Sequence, residues 1–201
     1  MAPHGLKIDT GVATLALPGQ AESGDLSLVK RVGTGTLVAV VDGLGHGEEA
    51  ASAAHAAVGA LDRYSRESLP ELVKRSHTAL TGLRGVVLTI AYLDPGAGTM
   101  TWLGVGNIEG VLIKAAPAAR PVRVGLVPVA GFVGAELTNA QARSVPLGRG
   151  DTLILATDGI KSGFAEALPP TPTSQALADH ILARHAKGTD DALVLVARYA
   201  G

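Results

Sequence analysis

The sequence predicts an α+β fold, mostly antiparallel sheet with helices packed on the outside. Three observations lead there. Strand-like runs of Val, Ile, Leu and Thr are short and bounded by Gly, Pro or Asp. Helical periodicity is confined to three stretches, two of them consecutive. The resulting order of strands, two helices, strands, one helix and a last strand lacks the alternation of a parallel wound sheet. Apolar residues make up 47% of the 201-residue chain and aromatics only 3%, so the core must be built from Val, Leu, Ile and Ala. This length suits one domain, 1–201, and no repeat or linker divides it.

Each element has a local reason. Residues 7–17 predict a first strand ending at Pro18-Gly19, and residues 26–30 a second after Gly24-Asp25. Gly33-Thr34-Gly35 turns the chain into residues 36–41, apolar on both faces as in a strand buried within a sandwich. A helix follows over 48–66, with Ala50, Ala54, Val58 and Leu61 at helical spacing and Glu48-Glu49 favourably placed at its positive end. Pro70 begins a second helix, with Leu72, Val73, Leu80 and Leu83 on one side and Gly85 just beyond. Strands over 86–93 and 100–105 flank the turn signal Asp94-Pro95-Gly96-Ala97-Gly98. Another strand is expected over 110–114, while 115–134, rich in Ala, Pro, Arg and Gly, reads as the least regular part. Residues 141–145 and 152–157 look like a strand pair joined by Gly148-Arg149-Gly150-Asp151. Thr173 or Ser174 caps a third helix running through His185, with Leu177, Ile181 and Leu182 inward, and residues 192–199 close the chain as a strand.

Composition excludes several activities. Without cysteine there is no disulfide, Cys-zinc site or thiol nucleophile. With 17 basic against 18 acidic side chains, the chain has no overall basic signature for nucleic acid. No apolar run approaches the roughly 20 residues a membrane helix needs, and the first five residues do not read as a signal peptide. A cytoplasmic protein without nucleic-acid or membrane partners is expected. His46-Gly47-Glu48 matches half of a zinc-deaminase motif whose cysteines are missing. The other histidines are read as ordinary surface or half-buried groups, the arginines between 120 and 149 as solvated loop charges, and Trp102 as a core residue.

The carboxylates are more informative. Asp42 and Asp158 each directly follow an apolar strand and precede a glycine; Asp190-Asp191 precedes the last strand, and Asp25 opens the second. A single Asp-Gly after a strand is usually just a turn, and Asp190-Asp191 alone reads as a solvated strand cap. Together they place acidic groups at strand ends, where loops meet a rigid scaffold. If those ends converge, repulsion among the carboxylates calls for cations, and an all-oxygen donor set favours Mg²⁺ or Mn²⁺. Two such ions about 4 Å apart suit in-line phosphoryl displacement. The glycine after Asp42 is expected to bend the chain and turn its carbonyl to the metal.

Ser23-Gly24-Asp25, Val41-Asp42-Gly43-Leu44-Gly45-His46-Gly47, Thr157-Asp158-Gly159-Ile160 and Thr189-Asp190-Asp191-Ala192 fall in the order seen in metal-dependent protein serine/threonine phosphatases. The chain resembles this PPM, or type 2C, family over most of its length, in particular its bacterial SpoIIE-like branch. The resemblance implies a four-layer α-β-β-α sandwich of two mostly antiparallel sheets. It implies two Mn²⁺ or Mg²⁺ ions, with Asp42 bridging, Gly43 contributing its carbonyl, Asp158 and Asp190 completing the core and Asp25 an additional ligand. Asp191 stands where many relatives have Asn and is placed as a neighbour of the site. The implied reaction is hydrolysis of phosphoserine and phosphothreonine in proteins by a metal-activated water, with Asp42, Asp158 and Asp190 catalytic. In size and in its Asp-Gly-x-Gly-His-Gly box the chain looks like the stand-alone feedback phosphatases of stressosome modules (the RsbX type), which implies STAS-domain scaffold or antagonist proteins as substrates. Leu44 occupies a place where many eukaryotic relatives have histidine, and the first arginine, Arg31, does not match the amino-terminal phosphate-binding arginine of some relatives. The alternatives are a catalytically weak module of the same fold that binds phosphoproteins, and a phosphoesterase acting on small molecules.

Overall fold

Alternation along the strands of a computed structural model, which describes residues 7–115, 122–135 and 140–201, sorts the apolar residues into three layers of core. One sheet has the order β1 (Ile8–Leu15), β10 (Ala192–Tyr199), β9 (Thr152–Ala156), β6 (Glu109–Lys114), β7 (Val122–Leu126). The other runs β2 (Asp25–Val32), β3 (Gly35–Gly43), β4 (Val86–Asp94), β5 (Thr99–Val105), β8 (Arg143–Pro146). Every pairing within both sheets is antiparallel.

Period-2 geometry makes each strand two-sided. Along β3, Leu37, Ala39 and Val41 pack with Ala53, Ala54, Ala57 and Leu61 of helix α1 (Glu48–Arg63) and Leu72 and Val73 of α2 (Leu69–Ala79). Val38 and Val40 face the other way, toward Leu153 and Leu155 of β9 and Leu193 and Leu195 of β10. The far face of that second sheet, including Ile154, Val194 and Val196, is covered by Leu177, Ala178 and Ile181 of α3 (Ser174–His185). The four-layer sandwich expected from the sequence is therefore present. Trp102 fills the layer between the sheets, also as expected.

Local details bear out most predicted boundaries. Thr173, rather than Ser174, caps α3, its Oγ1 accepting from Ala176 N at 3.1 Å. The turn between β4 and β5 is closed by Asp94 Oδ1, which accepts from Ala97 N. Leu83 departs from expectation: it lies beyond the end of α2 and is exposed.

Three further expectations are corrected. The segment 115–134 is not irregular throughout, because β7 lies within it and pairs with β6; its residues 116–121 lie outside the described part, as do Arg120 and the first five residues. The strands near 141–145 and 152–157 are not partners. β8 pairs with β5 in one sheet, whereas β9 lies between β10 and β6 in the other. The intervening turn crosses between sheets, held by the buried Asp151 carboxylate, which accepts from Gly148 N, Ala115 N and Lys114 Nζ. Arg123 and Arg143 are on strands, not in solvated loops: Arg123 donates to the carbonyls of Ala165 and Glu166, and the Arg143 guanidinium stands 5.9 Å from the Trp102 ring centroid. Among the described residues no helix is long and apolar enough to cross a membrane.

Candidate metal centre

Strand register builds the site. Pairing of β2 with β3 sets Asp25 directly opposite Asp42 at the end of one sheet. In the other sheet, Asp158 lies just beyond β9 and Asp190-Asp191 just before β10, its antiparallel neighbour. Two side chains tie these ends together. Asp191, buried, accepts from Leu17 N through Oδ1 and from Gly24 N through Oδ2, both at 2.7 Å. Thr157 Oγ1 donates to Asp25 Oδ2 at 2.7 Å and accepts from Leu193 N at 2.9 Å. The acidic residues picked from the sequence thus gather at one rim of the sandwich, although they span most of the chain.

Crowding has an electrostatic signature. Burial, then repulsion from Asp25, Asp158, Asp190 and Asp191, pushes the Asp42 carboxyl up to about 8. The Asp25 carboxyl is pushed up to about 7, mainly by burial and also by Asp191, Asp158 and Asp190, against the lowering effect of the Thr157 hydroxyl. Hydrogen-bond donors engage part of the cluster: Asn107 Nδ2 donates to Asp158 Oδ2 at 3.1 Å, and Asp191 N to Asp190 Oδ1 at 2.9 Å. Among the described residues no Lys or Arg forms an ion pair with Asp25, Asp42, Asp158 or Asp190. Nor do any three described carboxylates or imidazoles stand close enough to make a ready metal cage. An uncompensated, mutually repelling all-oxygen set is nevertheless the donor chemistry that Mg²⁺ or Mn²⁺ takes. The residues fit such an ion by charge and donor type.

The two Asp-Gly pairs share a packing reason. A Cβ on Gly43 would fall 2.2 Å from Ala50 O, where α1 crosses the end of β3; one on Gly159 would fall 1.9 Å from Asp191 O. Neither glycine has the positive φ expected of a sharp bend. The sequence-based account of Gly43 is thereby corrected: close approach of backbones, not a special turn, demands glycine. Leu44 N is held by Gly85 O, and Leu44 O by Arg84 Nη1 at 3.2 Å, so the loop after Asp42 is fixed at both faces.

Sequence reasoning assigned no role to Thr157 or Asn107, and placed Asp191 only as a neighbour. Thr157 had a signal available, since alternation turns it away from Asp158 and toward the other sheet. Asn107 had none, because its place opposite Asp158 depends on the register in which β6 pairs with β9, strands distant in sequence.

The Stage II sporulation protein E (SpoIIE) family model matches residues 33–200. No curated protein sequence gives a match. Among solved structures, one described with the words "The bacterial stressosome: a modular system that has been adapted to control secondary messenger signaling" superposes with a TM-score of 0.87 at 29% identity, over 96% of this chain and 100% of that one. RsbX in complex with magnesium gives 0.85 at 20% identity, over 95% and 94%. The catalytic domain of the serine/threonine protein phosphatase PstP, in complex with two manganese ions, gives 0.74 at 16% identity, over 95% and 97%. The low identities of the last two speak for a common fold.

Proposed function

Because the chain belongs to the SpoIIE family, we propose that it is a metal-dependent phosphatase acting on phosphoserine and phosphothreonine in signalling proteins, with residues 1–201 as one catalytic domain. The observation that carries the proposal is the convergence of Asp25 and Asp42 from one sheet with Asp158 and Asp190 from the other, without a compensating cation among the described residues. Two Mn²⁺ or Mg²⁺ ions would match four carboxylates in charge. Asp42, the Gly43 carbonyl, Asp158, Asp190 and Asp25 would hold them, with Asp42, Asp158 and Asp190 nearest the chemistry. When bound, such ions supply an activated water and neutralise the charge of a phosphoryl group during in-line displacement.

The protein's own side chains prepare that site. Asp191 spends both oxygens on backbone amides, which makes it a positioning residue joining the 17–24 segment to the other sheet. Thr157 orients Asp25 by donating a hydrogen bond to its Oδ2. Asn107 orients Asp158 in the same manner. With no cysteine in the chain, a thiol nucleophile is unavailable.

The finer reading is that the substrates are STAS-domain components of a stressosome and that the protein works in the cytoplasm. Its supports are the stressosome structure at 29% identity and the RsbX fold match. The test combines hydrolysis of p-nitrophenyl phosphate and of phosphorylated STAS-domain proteins with Mn²⁺, EDTA and Asp42→Ala. Turnover that is abolished by EDTA and by Asp42→Ala supports the proposal. Turnover surviving both removes it, and Mn²⁺ uptake without turnover points to a phosphoprotein-binding module instead.

A further inference from the structure

The end of the molecule remote from the carboxylates has the opposite charge. Strand β2 runs from Asp25 at the acidic rim to Lys30 and Arg31, six residues or about 20 Å away. There it meets the carboxyl end of α1 and the loop after it, bringing Arg63 and Arg66 alongside. A cleft of about 380 Å³ is lined by Lys30, Arg31, Arg63, Tyr64, Arg66 and Glu67. It shares Arg63 and Tyr64 with a second cleft of about 330 Å³ that is also lined by Arg75. Five cations therefore face two carboxylates, Asp62 and Glu67, on a chain whose net charge is -1.

The two carboxylates are already shared out. Lys30 Nζ pairs with Asp62 Oδ1 at 2.8 Å, and Arg75 grips Glu67 with Nε and Nη2 at 3.0 and 2.9 Å. Arg31, Arg63 and Arg66 are exposed and form no ion pair among the described residues. The helix dipole accounts for one cation in the last turn of α1 but not for Arg31, which arrives from the sheet.

We propose that this basic cleft, formed by Arg31, Arg63 and Arg66, docks an acidic segment of a protein partner, at a distance from the carboxylate centre. Guanidinium groups match carboxylates with paired hydrogen bonds, and the exposed local ion pairs are weak enough to exchange for a partner's acids. A nucleic acid fits less well. The Tyr64 ring, the aromatic surface a base would stack on, is covered by the Arg75 and Arg63 guanidinium groups at 4.5 and 5.6 Å. The separation suits a folded partner, large enough to touch both ends of the sandwich.

The experiment uses the full chain and a fluorescein-labelled twelve-residue Glu-rich peptide, with fluorescence anisotropy as the readout. Wild-type protein should bind the peptide with an affinity that falls as salt rises. Arg66→Glu and Arg31→Glu should each weaken binding about tenfold, because attraction becomes repulsion. Arg184→Glu, the same change of charge on exposed α3, should leave it unchanged, and p-nitrophenyl phosphate hydrolysis should be the same in all of them. Melting temperatures check that the variants fold. Equal weakening by Arg184→Glu overturns the proposal, since overall charge would then be responsible; so does tighter binding of a twelve-nucleotide DNA than of the peptide. These outcomes are read by binding, so absence of phosphatase activity in wild-type protein would remove the functional reading while leaving this test intact.

Discussion

Replacing Asp42 with Asn in metal-free protein should stabilise it, and by an amount that grows with pH. In the unfolded chain a carboxyl of this type ionises near 3.8, whereas in the fold Asp42 ionises at about 8 and Asp25 at about 7. A raised carboxyl keeps its proton in the native state after the unfolded chain has released it. Stability is therefore fully present below about pH 4 and is lost as pH rises toward 8. Inside that window each pH unit costs about 1.4 kcal/mol per group. From pH 5.5 to 8.0, Asp42 alone removes up to about 3 kcal/mol, which Asp42→Asn restores because the amide never ionises. Histidines and other groups common to both proteins cancel in the comparison. The assay is thermal unfolding in EDTA at low salt, for both proteins at both pH values. At about 2–4 °C per kcal/mol for a chain of this size, the gap between variant and wild type should widen by about 6–12 °C. With Mn²⁺ the order should reverse, since the ion stabilises the native wild type by mass action and the variant has lost a ligand. Parallel pH profiles for the two proteins in EDTA would refute the crowding of carboxylates on which the site assignment stands.

Other outcomes follow from single contacts. Asp191→Ala should cost about 2–4 kcal/mol in urea unfolding, since it strands one buried and one half-buried backbone amide, and calorimetry should show weakened Mn²⁺ uptake as the sheets lose a tie. Gly159→Ala should destabilise by about 3 kcal/mol or more, because its methyl would collide with Asp191 O and backbone cannot easily yield; wild-type stability in the variant would contradict the packing. Thr89→Val should raise stability by about 1 kcal/mol, since the buried Thr89 hydroxyl has no hydrogen-bond partner among the described residues and the replacement has the same shape; a drop on unfolding would mean the hydroxyl is bonded after all.

Much of this protein was written in local sequence. Alternation and helical spacing gave the strands and helices their places, because a residue's side of a strand or helix depends only on its neighbours. Asp42, Asp158 and Asp190 stood out for a related reason: a carboxylate at the end of an apolar strand is visible without knowing what lies opposite. Pairing was not visible in the same way. That β8 and β9, adjacent in sequence, join different sheets was decided by long-range burial and by the Asp151 crossing. Tertiary structure alone showed that Asp191 and Thr157 lock the two sheets together, that Gly43 and Gly159 are glycine to let backbones touch, and that Arg31 joins Arg63 and Arg66 in one cleft. Each of these depends on atoms brought together from distant parts of the chain, and a local pattern carries no information about which distant atoms those will be.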